Sequence, residues 1–132
     1  MKKVLTVGVF DYFHYGHLRL FQRAKNLGDY LIVAVQDEKS ILKYKPDAKI
    51  LYSTEKRVEI IKELRMVDEV VLYDDIDKDI QKIDFDVFAI GGDQKHAGFV
   101  RAVQWCETNG KQVIRLERTP GICSSDIKND KN

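Results

Sequence analysis

Five short apolar runs, separated by segments of different spacing, constrain the fold of this chain more than any other feature. The runs are apolar at nearly every position, which is typical of strands covered on both faces of a parallel sheet. Several of the segments between them have apolar residues at helical spacing. The pattern predicts an α/β fold with an open parallel sheet of about five strands and helices on both faces. The predicted strands are Val4–Phe10, Tyr30–Val35, Val67–Leu72, Val87–Ile90 and Val113–Leu116.

Start and stop signals divide the segments between the strands. The spacing of Leu20, Ala24 and Leu27 predicts a helix from Gly16 that stops at Gly28. The other predictions are a helix capped by Ser53, a weak acidic helix over Asp74–Ile83, a helix over Phe99–Thr108 ended by Asn109 and Gly110, a mobile loop with room for a helical turn over Asp37–Tyr52, and a short helix from Cys123.

Length and composition exclude several classes of protein. A chain of 132 residues fits one domain over residues 1–132 and can bury a core without staples. The formal net charge of +1 gives no support for binding to nucleic acid or to an anionic membrane. No apolar run approaches the ~20 residues of a membrane helix, and the stretch after "MKK" is too short for a signal-peptide core. We therefore expect a cytoplasmic protein, with Cys106 and Cys123 as free thiols.

Three segments that carry chemically active side chains follow the predicted strands. They are "GVFDYFHYGH" after the first strand, "GGDQKH" after the fourth and "RTPGICSS" after the fifth. In an open parallel sheet, ligands bind at the carboxyl ends of the strands, near the switch in strand order. The predicted fold therefore brings these three segments to one site, although they are distant in sequence.

Two histidines, His14 and His17, stand where the first strand gives way to the first helix. Three residues apart, they share one face once the helix begins. A helix that starts near Gly16 points free N–H groups and its positive dipole end into this loop, and such an end attracts phosphate. The pattern favours a phosphate site with histidine donors. A purely structural role for either histidine stays open, whereas a zinc pair lacks a third ligand at useful spacing.

The first and last of these segments carry a family resemblance. "GVFDYFHYGH" resembles the HxGH signature of the nucleotidyltransferase superfamily, and "RTPGICSS" resembles the "RTEGISTT" signature of its cytidylyltransferases. The resemblance covers nearly the whole chain and is strongest to small bacterial members that act on glycerol 3-phosphate. It implies a Rossmann-like fold, a homodimer, and transfer of CMP from CTP to an alcohol phosphate with release of pyrophosphate. It also implies Mg²⁺ as cofactor, accompanying CTP, and we expect no metal site built by the protein.

The resemblance also assigns roles to individual residues. Stabilisation of charge on the triphosphate falls to two histidines, a lysine of the basic loop and an arginine of the last signature. The implied catalytic residues are His14, His17, Lys43 and Arg118; the implied acceptor-binding residues are Arg57 and Arg65; the implied nucleotide-binding residues are Val9, Phe10, Asp11, Gly16, Lys45, Gly91, Asp93, Arg118, Thr119, Ile122 and Ser124. A structural role stays open for Phe10, and an ordinary N-cap role for Ser124.

Some residues depart from the resemblance and leave the acceptor open. Val9 stands where glycerol-phosphate members have threonine, and Gln94 where an aromatic residue is common. We expect glycerol 3-phosphate as the acceptor, for synthesis of a cell-surface polymer, with phosphoethanolamine, phosphocholine and a pentitol phosphate as alternatives. Two further hypotheses are an adenylyltransferase of the same superfamily and a nucleotide-binding module without catalytic activity.

Overall fold

A five-stranded parallel sheet runs through the centre of the protein in a computed structural model that describes residues 1–91 and 97–116. Its strands are β1 (Lys3–Gly8), β2 (Tyr30–Gln36), β3 (Glu69–Tyr73), β4 (Val87–Gly91) and β5 (Gln112–Leu116). They lie in the order β3-β2-β1-β4-β5, and every neighbouring pair is parallel. Each strand overlaps a predicted one, which confirms the Rossmann-like α/β sheet.

Helices connect the strands, and the first three of them begin at residues whose side chains cap the helix. Ser53 caps the third helix, as predicted, by accepting a hydrogen bond from the N–H of Lys56 at 3.3 Å. The helix over Ala97–Thr108 ends before Gly110, whose φ of +72° is the left-handed conformation that the Asn-Gly pair predicts. The helices are α1 (Tyr15–Lys25), α2 (Glu38–Tyr44), α3 (Thr54–Lys62), α4 (Ile76–Asp79) with a 3₁₀ turn at Ile80–Lys82, and α5 (Ala97–Thr108). The weak acidic helix predicted over Asp74–Ile83 is therefore a short α-helix followed by a 3₁₀ turn.

The core has two layers, one on each face of the sheet. One layer contains Phe85 and Phe88, which pack with residues of α4 and α5. The other contains Phe21 and Ile61, which bring α1 and α3 onto the opposite face. Residues 31–35 of β2 are at most 2% exposed and alternate between the two layers. This explains why the strand runs are continuously apolar, and it confirms helices on both faces.

The ends of α1 and α5 place a glycine and a cysteine in close-packed positions. A Cβ atom at Gly28 would lie 2.6 Å from the carbonyl oxygen of Lys2, so this glycine permits a close approach of two chain segments. Cys106 is buried in the layer that contains Phe88, and burial raises the pKa of its thiol to about 11. Cys123 lies outside the described residues. No helix in residues 1–91 and 97–116 has the length and apolar character needed to cross a membrane.

The segment predicted as a mobile loop, Asp37–Tyr52, contains the helix α2. Asp37 caps this helix by accepting a hydrogen bond from the N–H of Lys39 at 2.9 Å. The hydroxyl of Ser40 donates to Asp74 at 2.6 Å, and the hydroxyl of Tyr44 donates to Asp75. The prediction allowed one helical turn here, whereas the structure has a helix of seven residues. Partners on the β3–α4 connection stabilise the longer helix, which the polar sequence does not reveal.

Candidate active site

The candidate site lies at the carboxyl edge of the sheet, where the chain order switches. The central strand β1 has β2 on one side and β4 on the other, so its connections leave in opposite directions and open a crevice at this edge. β1 pairs with β2 from Lys3 to Gly8, whereas its pairing with β4 covers only Val4–Val87 and Leu5–Phe88. The β1–α1 loop, which carries both histidines, therefore emerges at the point where this fold binds ligands.

His14 is the N-cap of α1. Its backbone is extended, with φ −144° and ψ 179°, and its Nδ1 accepts a hydrogen bond from the N–H of Gly16 at 2.9 Å. Its carbonyl oxygen accepts from the N–H groups of His17 and Leu18 at 3.0 and 3.2 Å. The N–H groups of Gly16 and His17, which the sequence predicted to be free, therefore donate to His14 itself. A phosphate at this helix end would meet imidazole groups and the helix dipole.

His17 completes a reciprocal cap with His14. Its Nδ1 accepts a hydrogen bond from the backbone N–H of His14 at 3.3 Å. The two imidazole rings stack, with centroids 4.0 Å apart and an interplanar angle of 22°. Phe10 and Phe13 contact the His17 ring from other directions, with centroids at 5.5 and 5.4 Å. The histidine spacing thus brings both rings together, as predicted.

These contacts fix the tautomer and the charge of both histidines. Because each Nδ1 accepts a hydrogen bond, the proton of each neutral ring is on Nε2. Burial, and then the neighbouring His14, lowers the pKa of His17 to about 4, and burial also lowers the pKa of His14. Near neutral pH the pair therefore consists of two neutral imidazoles, each with one Nε2–H left to donate.

The loop before His14 has an unusual backbone. Phe10 and Tyr12 have φ angles of 55° and 51°, in the left-handed region that bulky residues rarely adopt. A Cβ atom at Gly8 would lie 2.9 Å from the ring of Phe10, so Gly8 makes room for this ring. Phe10 is 6% exposed and packs edge-on against Phe21. The structural role left open for Phe10 is present, and strained backbone of this kind is concentrated at functional sites.

Asp11 binds the segment that precedes α3. Its carboxylate accepts hydrogen bonds from the N–H groups of Leu51 and Tyr52, at 2.6 and 3.0 Å, and the residue is 7% exposed. Both oxygens are thus used within the protein. Asp11 organises the loops at the carboxyl edge, and its predicted contact with the nucleotide stays a prediction.

Arg57 is completely buried, at 0% exposure. Its Nη1 donates to the carbonyl oxygens of Val9 and Gln36 at 2.9 and 2.7 Å, and its Nε donates to that of Tyr52 at 3.2 Å. Its Nη2 donates to the hydroxyl of Thr54 at 3.2 Å. Burial lowers the pKa of Arg57, and Asp11 is the strongest of the groups that oppose this shift. The guanidinium thus uses at least four of its five N–H donors in hydrogen bonds to protein atoms.

The two candidate lysines lie at the end of α2. Lys43 is in its last turn and Lys45 is its C-cap, and both side chains are exposed. The ammonium group of Lys43 lies 5.3 Å from the centroid of the Tyr44 ring. Hydrogen bonding to Asp75 raises the pKa of the Tyr44 hydroxyl. The two charges are therefore carried by a helix anchored to the β3–α4 connection, and their action on phosphates stays a prediction.

Arg65 is not brought together with the other candidates. It follows α3, which begins at the carboxyl edge and runs back across the sheet for about 13 Å at 1.5 Å per residue. Just beyond it, the N–H of Asp68 donates to the carbonyl oxygen of Leu31 at the start of β2. Arg65 therefore lies near the amino edge, opposite the histidines of its own chain. This position does not support the predicted contact with a substrate held there.

Some candidates lie outside the described residues. Gly91 ends β4 and is paired with Leu116 at the carboxyl edge, as its prediction requires. Gly16 lies in the first turn of α1, and Val9 follows β1. The candidates beyond the described residues are Asp93, Arg118, Thr119, Ile122 and Ser124.

Two side chains that support this site are not among the residues predicted from the sequence. Phe13 packs on His17, and the buried Thr54 accepts from Arg57 and also from the N–H of Glu38 at 3.0 Å. A threonine after a serine cap gives no sign that its hydroxyl bridges two segments. Phe13 had one signal in the sequence, its large aromatic side chain directly before the first histidine, and in the structure it packs partly buried against the core layer that contains Phe21.

The predicted cofactor, Mg²⁺ that accompanies CTP, stays a prediction. Within residues 1–91 and 97–116 there is no group of three or more His, Cys, Asp or Glu side chains placed to hold a metal ion. The carboxylate of Asp11, which belongs to the β1–α1 loop, already accepts two backbone hydrogen bonds.

Comparisons with known proteins find relatives that match almost the whole chain. The glycerol-3-phosphate cytidylyltransferase of Bacillus spizizenii is 46% identical over 134 residues, covering 98% of this chain and 97% of the relative. The FAD synthase of Ferroglobus placidus is 48% identical over 147 residues, covering 97% and 94%. The crystal structure of a lipopolysaccharide core biosynthesis protein from Thermoplasma volcanium superposes with a TM-score of 0.72 and 26% identity, covering 90% of this chain and 97% of that one. The family model described as cytidylyltransferase-like matches residues 5–130. With its paired histidines at the switch point of a parallel sheet, this chain belongs to the cytidylyltransferase-like family of nucleotidyltransferases.

Proposed function

We propose that this chain transfers CMP from CTP to glycerol 3-phosphate in the cytoplasm, giving CDP-glycerol for a cell-surface polymer. The observation that carries the proposal is the similarity to the Bacillus spizizenii glycerol-3-phosphate cytidylyltransferase, which extends over 98% of this chain and 97% of that enzyme. Alignment over 134 residues for a chain of 132 requires few gaps. The numbers of residues between the site segments are therefore nearly the same in the two proteins.

The chemistry needs no covalent enzyme intermediate. A phosphate oxygen of glycerol 3-phosphate attacks the α-phosphorus of CTP, the bond from that phosphorus to the bridging oxygen breaks, and pyrophosphate leaves with the electron pair. Such a reaction is accelerated by positioning and by donors aimed at the developing negative charge. The Nε2–H groups of His14 and His17 are suited to this task, because both Nδ1 atoms are already occupied.

The neutral state of the histidines also suits a triphosphate. Two neutral rings can lie 4.0 Å apart without repulsion, and a nearby anion raises the pKa of an imidazole. Binding of CTP should therefore increase the charge on the pair where the reaction needs it. Lys43 and Lys45 would add positive charge from α2, and Arg118 would add it from the last signature. Mg²⁺ would enter with CTP and neutralise part of the triphosphate charge.

The same proposal covers the remaining nucleotide contacts and the assembly. Gly91 at the end of β4 and Asp93 beyond it would face the base or ribose, while Thr119, Ile122 and Ser124 would line the phosphate end.

We also propose a homodimer, as the resemblance implies. Sedimentation at micromolar protein concentration tests the dimer, and a monomer there would contradict it.

One observation favours a second function, the synthesis of FAD. The Ferroglobus placidus FAD synthase has the higher identity, 48% against 46%. FAD is a flavin phosphate joined to AMP, so this reaction would use ATP and a flavin phosphate in place of CTP and glycerol 3-phosphate. However, that alignment spans 147 positions, so at least 15 of them have no counterpart in this 132-residue chain. The glycerol-3-phosphate cytidylyltransferase therefore aligns with fewer insertions than the FAD synthase.

An assay of pyrophosphate release with Mg²⁺ tests both functions. CTP or ATP is combined in turn with glycerol 3-phosphate, a pentitol phosphate, phosphoethanolamine, phosphocholine and flavin mononucleotide. We expect release with CTP and glycerol 3-phosphate. If CTP reacts only with another acceptor, the assignment of glycerol 3-phosphate is wrong and the transfer of CMP stands. If only ATP and flavin mononucleotide react, the proposed transfer of CMP is wrong and the synthesis of FAD takes its place.

The variant His14→Asn tests the catalytic role without removing the cap. Asparagine is a preferred N-cap residue, so its side-chain oxygen can accept from the N–H of Gly16, but the Nε2–H is lost. We expect turnover to fall by about 100-fold or more, the scale of losing one donor to a developing anion, while the melting temperature changes little. Turnover at the wild-type rate would contradict the assignment.

A further inference from the structure

The buried guanidinium of Arg57 joins three chain segments that meet at the carboxyl edge. Its carbonyl partners are Val9 just after β1, Gln36 at the end of β2 and Tyr52 just before α3. These residues are 48, 21 and 5 positions away in sequence. The side chain therefore holds these three segments together by hydrogen bonds from a buried position.

The bond to Val9 is made directly next to the strained part of the histidine loop. The carbonyl of Val9 belongs to the peptide that leads into Phe10, whose φ is 55°. The ring of Phe10 in turn stands edge-on to His17, with centroids 5.5 Å apart. A continuous series of contacts thus runs from the guanidinium, through one carbonyl and one phenyl ring, to an imidazole of the pair.

A second connection reaches the same loop through Asp11. Its carboxylate accepts from the N–H groups of Leu51 and Tyr52, and the carbonyl of Tyr52 accepts from Arg57. The peptide segment 51–52 is thus held by a carboxylate from the histidine loop and by the guanidinium from α3. Opposite charges on Asp11 and Arg57 reinforce this arrangement across the buried space.

We propose that Arg57 is a positioning residue that holds the β1–α1 loop in the conformation presenting His14 and His17, and that it does not bind the acceptor phosphate. A phosphate could reach the guanidinium only if the side chain left its carbonyl partners and its buried position. That would leave buried carbonyls without donors, which proteins avoid. The kinetic part of the test rests on the proposed transfer reaction, whereas the spectroscopic part does not.

The variant Arg57→Lys separates positioning from phosphate binding. Lysine keeps the positive charge but lacks the planar fork that reaches carbonyls in several directions. Positioning predicts that kcat at saturating substrates falls at least tenfold and that calorimetric affinity for CTP without an acceptor also falls. It predicts less than a threefold change in KM for glycerol 3-phosphate. A tenfold rise in that KM, with CTP affinity unchanged, would overturn the proposal.

Nuclear magnetic resonance of the imidazole nitrogens in the substrate-free protein gives a readout that needs no activity. Loss of the contact with Val9 should shift the Nδ1 and Nε2 resonances of His14 and His17 in Arg57→Lys. The control is Ile80→Val, which removes one methyl group from the core layer on the α4–α5 face and leaves the histidine loop untouched. We expect unchanged histidine resonances there, and unchanged resonances in Arg57→Lys would overturn the proposal.

A milder variant covers the case in which Arg57→Lys does not fold. Thr54→Val keeps the shape of the side chain but removes the hydroxyl that accepts from Nη2 of Arg57. It should shift the same histidine resonances in the same direction, by a smaller amount. If Thr54→Val folds and leaves those resonances unchanged, the coupling from Arg57 to the histidines is absent.

Discussion

The two edges of the sheet hold their chain segments in different ways. At the carboxyl edge, Asp11 and Arg57 are buried and Phe10 has a positive φ. At the amino edge, the ion pairs are partly exposed: the side chains of Lys25 and Asp68 keep 30% and 32% of their surface accessible. Partly exposed contacts thus hold the chain segments at the amino edge. The edge that presents the reactive groups requires buried polar contacts.

The difference follows from what each edge must present. At the amino edge, aspartates accept from backbone N–H groups at strand ends, as Asp86 does from Lys3 at 2.8 Å and Asp29 from Lys2 at 3.1 Å. Water could replace most of these exposed contacts. At the carboxyl edge, a strained loop has to be held in a single conformation, so its partners must be shielded from water. Loss of a partner there is expected to cost more, because the group left behind is buried.

The largest effect on stability is expected for Asp11→Ala. It removes the acceptor of the Leu51 and Tyr52 N–H groups and the negative charge that acts most strongly on Arg57. The two hydrogen bonds are only part-buried, but the guanidinium that loses its counter-charge is fully buried. A lost hydrogen bond of this kind costs about 1 kcal/mol and an uncompensated buried charge costs more, so we expect the free energy of unfolding to fall by roughly 3 to 4 kcal/mol. Urea unfolding followed by circular dichroism measures this loss.

Asp11→Asn is the matched control for that experiment. Its side-chain oxygen can still accept one of the two hydrogen bonds, so the loss should be about half as large. Equal stability of Asp11→Ala and the wild type would show that the carboxyl edge is held no more tightly than the amino edge.

The next effect is a dependence of stability on pH that comes from His17. Its pKa is about 4 in the folded protein and 6.5 in the unfolded chain, so the unfolded chain takes up the proton first as the pH falls. The stability due to the neutral ring is therefore complete above pH 6.5 and is lost as the pH falls through the window from 6.5 to 4. The loss amounts to at most about 3 kcal/mol at 1.36 kcal/mol per pKa unit.

Urea unfolding at several pH values measures this dependence, with His17→Asn as the comparison. Asparagine places an oxygen near the position of Nδ1, so it can still accept from the N–H of His14, but it does not titrate. The variant should lose less stability than the wild type between pH 6.5 and pH 4. Identical slopes would mean that His17 is not held as a buried neutral ring.

The sequence predicted the fold well because the strands lie in continuous apolar runs. Each residue from Leu31 to Val35 is buried by one of the two helix layers, so the pattern and the architecture have the same cause. The helix α2 escaped prediction because its stability depends on Asp74 and Asp75, more than 30 positions away from their partners. Such long-range contacts leave no periodic signal in a polar segment.

The candidate site was predicted in part, for similar reasons. The spacing of His14 and His17 predicted that both rings would share a face, and their centroids lie 4.0 Å apart. The use of His14 as an N-cap was not predicted, because histidine is not among the preferred cap residues. The burial of Arg57 also gave no signal, because its carbonyl partners come from three segments that only the folded chain brings together.

The smallest effect is expected at the amino edge, for the pair of Lys25 and Asp68. A double-mutant cycle with Lys25→Met and Asp68→Asn isolates their interaction, because asparagine keeps an oxygen that can accept from the N–H of Leu31. Both side chains are about one-third exposed, so the coupling should be below about 1 kcal/mol and should shrink further in 0.5 M salt. Urea unfolding of the four proteins measures it. A coupling of several kcal/mol that resists salt would remove the contrast between the two edges, since the amino edge would then be held as tightly as the loop that carries the histidines.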